Sequence, residues 1–265
     1  AAGLGGCGES PDPDANDAAP EPDRSVTLSY VEAMADAHST DTPDASPLVQ
    51  PPVRPVTSES IAYGTRDGTD LTGYYAAPEA ADSLRRAHGL ADDEHLSGIV
   101  LIHEWWGLND NIRGMADRLA AHGYQVLAVD LYEGEQADRP DRASSLMQAA
   151  MDRPEEMLNH LEAARSFLRD EQHARRVAVM GWCFGGYWSL QAALDAPASW
   201  SGSVIYYGSV EEADSDAVAD LDMPLLGIFG GADESIPVET VEAFADQLRA
   251  GGVSADIRIY DEAGH

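Results

Sequence analysis

Residues Arg176 to Leu190 read RVAVMGWCFGGYWSL, and the rest of the chain is arranged around this stretch. Val177, Ala178, Val179 and Met180 form a short apolar run, as expected of a strand buried on both faces of a parallel sheet. Gly181-Trp182-Cys183-Phe184-Gly185 follows at once, and Gly186, Tyr187, Trp188, Leu190, Ala192, Ala193 and Leu194 continue at helical spacing. The pattern is strand, sharp turn, helix. The glycines let a strained turn form and let the helix pass close to the strand it leaves. Cys183 is thereby set near a helix N-terminus, where partial positive charge favours thiolate over thiol. A free cysteine is equally a common core residue, so this stretch alone leaves Cys183 between nucleophile and packing.

Strand and helix patterns alternate on both sides of it. Strands are expected over 99–103, 124–129, 202–207, 224–229 and 255–259, with helices over 109–121, 139–151, 155–168 and 238–250. Asn109 or Asp110 can cap the first of these helices. Earlier, two strand-like runs over 60–65 and 71–76 flank Asp67-Gly68, a hairpin signal. Such alternation predicts a mainly parallel sheet covered by helices, with function at the carboxyl ends of the strands.

Two further residues stand just past such strands. Asp233 lies in Phe229-Gly230-Gly231-Ala232-Asp233, and His265 follows Tyr260-Asp261-Glu262-Ala263-Gly264. Alone, Asp233 reads equally as a turn or cap residue, and a single His after a strand usually signifies nothing. Together with the cysteine turn they supply nucleophile, orienting carboxylate and base, in the chain order of the α/β-hydrolase fold. That fold takes one oxyanion donor from the N–H after the nucleophile and one from a loop after an earlier strand. Here these are the backbone N–H groups of Phe184 and Trp105, the latter in Leu101-Ile102-His103-Glu104-Trp105-Trp106-Gly107. The aromatic residues Trp106, Trp182, Tyr187 and Tyr207 are expected to wall an apolar pocket for a small or aromatic ester.

The segments IHEWWGLN, AVDLYEG, MGWCFGG, FGGADESIP and YDEAGH, in this order, resemble the dienelactone hydrolase family of α/β-hydrolases. The similarity runs from about Glu59 to the last residue. It implies a Cys183, Asp233, His265 triad and a glutamate, Glu104, that pairs with the resting thiol and helps generate thiolate. It implies an ester or lactone hydrolase needing neither metal nor cofactor. Acyl transfer, peptidase chemistry on the same scaffold, or an inactive surface protein that binds a ligand through the old pocket are the alternatives. Two features depart from the family. Its dienelactone-cleaving members carry an arginine after DLY, where this chain has Glu133-Gly134-Glu135, and family chains continue beyond the histidine. The natural chain is accordingly expected to extend past His265.

Residues 1–58 are expected to form an appendage to a hydrolase domain over 59–265. Leu4-Gly5-Gly6-Cys7-Gly8 is similar to a lipobox, which would make Cys7 a lipidated residue and place the protein at the cell envelope, facing outward. Without such an anchor a cytoplasmic location is expected. Residues 9–23 read as an acidic tether, 26–38 as a short amphipathic helix, and 40–57 as a Pro-rich linker. Residues 79–97 read as a polar loop. Cys7 and Cys183 are the two cysteines, too few and too unlike for a disulfide framework or a CxxC metal site.

The charge is extreme: 47 Asp+Glu against 16 Lys+Arg, a net charge of −31, and every basic residue is arginine. Such a surface excludes nonspecific binding to nucleic-acid backbones, which needs clustered cations. It also repels itself unless salt screens it, which points to a protein folded to work in concentrated salt. The thermal midpoint is therefore expected to rise by several degrees between low and molar salt in a calorimetric series, and a flat or falling series would remove this reading.

Overall fold

The computed structural model describes residues 24–43, 50–91, 94–211 and 213–265. Cys7, the acidic stretch 9–23 and Pro47 of the linker lie outside the described residues. The chain runs through helix α1 (Arg24–Ala37), strands β1 (Val56–Arg66) and β2 (Thr69–Pro78), α2 (Ala81–Ala87), β3 (Gly98–Ile102), α3 (Asp110–Ala121) and β4 (Gln125–Val129). It continues through α4 (Pro140–Met151), α5 (Pro154–Ser166), β5 (Val177–Trp182), α6 (Phe184–Asp195), β6 (Ser203–Tyr206), α7 (Ser215–Ala219), β7 (Leu225–Gly230), α8 (Val238–Ala250) and β8 (Ala255–Tyr260).

The strands make one sheet in the order β1-β2-β4-β3-β5-β6-β7-β8. Strands β3 to β8 are parallel to their neighbours, while β1 and β2 form the hairpin expected at Asp67-Gly68 and join β4 antiparallel. Asp67 and Gly68 both have positive φ, 49° and 82°, as a two-residue hairpin turn requires. Every residue of β3 and β4 is buried, which is why those strands read as unbroken apolar runs rather than alternating ones. Helix α3 begins at the cap that the sequence offered: the Asn109 side chain accepts from the Ile112 N–H at 3.2 Å. This is the α/β-hydrolase architecture, with two hydrophobic layers on opposite faces of the sheet.

Short elements escaped the sequence reading. Helix α2 occupies part of the stretch read as a polar loop, and only Leu84 of it is buried, so it carries almost no periodic signal. Helix α7 has five residues and is held at its start by Asp214, which accepts from the Asp216 and Ala217 N–H groups.

Helix α1 differs in a way that matters for the site. The sequence placed it in the appendage, yet Tyr30, Val31 and Met34 belong to the main hydrophobic core. Their spacing puts them on one face, which packs over α4 and brings Tyr30 to 6.0 Å from the Tyr187 ring. Met34 is 1% exposed. Met34→Ala is expected to lower stability by about 2 kcal/mol or more, read from urea unfolding, whereas a mere tether would lose nothing.

Candidate active site

Strand β5 ends at Trp182, α6 starts at Phe184, and Cys183 between them has φ of 57°. That left-handed conformation is uncommon for a residue with a Cβ and marks stored strain. The glycines make the turn feasible by close approach. A Cβ on Gly181 would lie 2.3 Å from the Gly185 carbonyl oxygen, and one on Gly185 would lie 2.5 Å from that of Ile102. The Cys183 N–H donates to Tyr206 O at 2.9 Å, locking the turn to β6. The thiol is buried, and the backbone N–H groups of Phe184 and Trp105 both face its sulfur.

The loop after β3 brings Glu104 to the same place. Its carboxyl is buried and pushed above the ordinary range by loss of solvent, an effect partly offset by the Tyr207 hydroxyl, which donates to Oε1 at 3.3 Å. Burial also drives the Cys183 thiol upward, reinforced by the negative charge of Glu104 and opposed by the N–H groups of Phe184 and Trp105. The free site therefore holds a neutral thiol. His103, read from sequence only as a strand residue, has a role here. Leu131 N–H donates to its Nε2 at 3.2 Å, so Nδ1 carries the proton and donates to Glu104 O at 2.6 Å. Fully buried and kept neutral by desolvation, it ties the loop after β3 to the loop after β4.

Beyond β7, Asp233 makes both of the contacts open to it. Its Oδ1 accepts from the Ser235 and Ile236 N–H groups at 2.8 and 3.1 Å, while Oδ2 lies 2.9 Å from His265 Nδ1. The pairing with His265 and the turn N–H groups hold the Asp233 carboxyl below its ordinary range against the opposing effect of burial. An ionised Asp233 makes Nδ1 the proton-bearing nitrogen, which leaves Nε2 as an acceptor.

These groups line one cavity of about 100 Å³, bounded by Glu104, Trp105, Trp106, Cys183, Tyr207 and His265 together with Met34, His38 and Asp41. Of the four aromatic residues expected as walls, Trp106 and Tyr207 are there. Trp182 and Tyr187 are not, and this corrects the sequence reading. Trp182 packs on the opposite face of the sheet, stacked 5.5 Å from Tyr206, because side chains alternate along a strand. Tyr187 is core, edge-on to Trp188 at 5.2 Å. Sequence missed Met34, His38 and Asp41 altogether. Their only signal is the helical face of α1 and an i, i+3 His/Asp pair, which any surface helix end can carry. The site uses no arginine from the loop after β4: Glu133 pairs with Arg66 at 2.9 Å and Glu135 with Arg142, away from the cavity.

The model of the dienelactone hydrolase family matches residues 85–265, which include Glu104, Cys183, Asp233 and His265. A Salmonella typhimurium protein named "Putative carboxymethylenebutenolidase" is 32% identical over 239 residues, covering 84% of this chain and 84% of its own. A solved structure from Klebsiella pneumoniae, titled a "Putative Dienelactone Hydrolase", superposes with a TM-score of 0.65 at 27% identity, covering 80% of this chain and 88% of that one. A bacterial brefeldin A esterase shares the fold, with a TM-score of 0.61 at 17% identity over 97% of this chain and 81% of its own.

The electrostatics of the site carry a sign that can be measured. Glu104→Gln removes the negative charge that raises the Cys183 thiol, so the thiol pKa falls. The midpoint of the pH profile for Cys183 alkylation by iodoacetamide is expected to move to lower pH, and an unmoved midpoint would separate Glu104 from the thiol.

Proposed function

This chain belongs to the dienelactone hydrolase family and is a carboxylic ester hydrolase, and from that premise we propose that it cleaves small neutral esters or lactones through an acyl-enzyme on Cys183. The observation that carries this reading is the shared cavity. A thiol facing two backbone N–H donors, a carboxylate-held imidazole and a buried glutamate meet in a space of about 100 Å³.

In this mechanism Sγ attacks the ester carbonyl and forms the C–S bond. The developing oxyanion rests on the N–H groups of Trp105 and Phe184, donors of a kind worth on the order of 10²–10³ in rate. The thiol proton passes by way of Glu104 and His265 to the leaving oxygen as the C–O bond breaks. Water then attacks the thioester, its proton goes to His265 and on to Sγ, and the C–S bond breaks to release the acid. Asp233 holds His265 in the tautomer this requires.

Size and charge narrow the substrate. The cavity is small, about 100 Å³. Among its lining residues there is no arginine to hold a carboxylate, and Glu104 and Asp41 are acidic. A neutral molecule with a short acyl part suits these walls better than a dienelactone, which carries a carboxylate.

Hydrolysis of a short activated aryl ester in molar salt is expected to fall by at least about 10³ in Cys183→Ala, the scale on which loss of a nucleophile is felt. Equal rates in the two proteins would remove Cys183 from the chemistry. A carboxylate-bearing lactone is expected to be a poorer substrate than its neutral counterpart, judged by kcat/KM.

A further inference from the structure

The family match begins at residue 85, yet one wall of the catalytic cavity comes from residues before it: Met34, His38 and Asp41. His38 follows the last residue of α1, whose Tyr30, Val31 and Met34 anchor the helix in the core. Its ring centroid lies 4.7 Å from that of His265 and 5.9 Å from that of Trp105. Its Nδ1 lies 2.8 Å from Asp41 Oδ2. The cavity is thus lined by two histidines, each held at Nδ1 by a carboxylate: His265 by Asp233, which lies behind the wall, and His38 by Asp41.

The two pairs are chemically alike and electrostatically unequal. In each, a carboxylate accepts from Nδ1–H, so Nε2 of the neutral ring is an acceptor. Both Nε2 atoms are buried and lack a hydrogen-bond partner. A buried acceptor without a donor is costly, so each calls for a group that brings one. Asp233 has 1% of its side chain exposed and Asp41 has 49%. The first carboxylate is shut away from water, and the second is half open to it. His265 is the base of the reading above, and His38 offers a second acceptor beside it.

We propose that His38 positions the hydrolytic water for deacylation, accepting one O–H while His265 accepts the other. The inference rests on the acyl-enzyme reading above. Water is the reactant in this cycle that brings two O–H donors to His265, and unpartnered acceptors on two neighbouring rings match it. Water's oxygen bonds to the thioester carbon, the proton on the His265 side is transferred, and the C–S bond breaks. The proton on the His38 side remains with the acid product until release. Attack by thiolate on an ester needs no such second acceptor, so His38 serves the second half-reaction.

The test is partition of the acyl-enzyme between water and methanol, run on the full chain with an aryl ester in molar salt. Methanol brings a single O–H, which is all that His265 requires. In His38→Phe the ratio of methyl ester to acid is expected to rise about tenfold, the scale of one lost hydrogen bond. Asp41→Ala, which leaves the packing of α1 in place and removes the acceptor that anchors Nδ1, is expected to raise the ratio by a smaller factor. It serves as the deciding variant if His38→Phe does not fold. Ratios equal to that of the unsubstituted chain would overturn the role of His38. A native chain that hydrolyses the ester and yields no methyl ester would instead overturn the acyl-enzyme reading, so the two failures are distinguishable.

Discussion

The approach of α6 to β3 and β5 is the constraint on which the rest of the structure depends. Gly181 and Gly185 touch backbone to backbone, and Gly185 sits against the carbonyls of Ile102 and His103, at distances that no side chain would permit. This contact forces Cys183 into its left-handed conformation and points its N-terminal neighbours into β6 through the bond to Tyr206. It also presses the loop carrying Glu104 and Trp105 against the start of α6. Cys183, Glu104 beside it and the N–H groups of Phe184 and Trp105 are thus placed by one packing event between backbones.

Around that contact the electrostatics set a resting state. A helix N-terminus and two N–H groups favour thiolate, while burial and Glu104 favour thiol, and the balance lies with the thiol. Glu104 is itself raised by burial and steadied by Tyr207. The site is consequently built from groups whose charges are costly until a reactant brings compensating polarity. The neutral His103, with its tautomer fixed by Leu131 N–H and Glu104 O, ties this loop to the loop after β4.

The acidic surface and the acidic site are separate matters. Arginine side chains on the surface, such as Arg66 with Glu133 and Glu156, are committed to ion pairs, leaving a large excess of carboxylates to water and salt. Exposed pairs of this kind contribute little each. The stability of the fold lies in the two hydrophobic layers, to which α1 adds a face of its own.

The sequence by itself determined the sheet, the hairpin, the sharp cysteine turn and the order of Cys183, Asp233 and His265, because these follow from local patterns: apolar runs, paired glycines and residues just past strands. It left Asp233 divided between a turn residue and a partner for His265, and the structure shows one carboxylate oxygen on the turn N–H groups and the other at His265 Nδ1. Only the tertiary structure decided which aromatic residues face the cavity. Trp182 and Trp106 are equally apolar, and strand alternation against the sheet sends the first to the far face. Tertiary packing, too, carried α1 and His38 to His265, more than two hundred positions away in the chain. The reason is physical: proximity across such a separation is created by burial of Tyr30, Val31 and Met34, and burial is a property of the assembled core rather than of any segment.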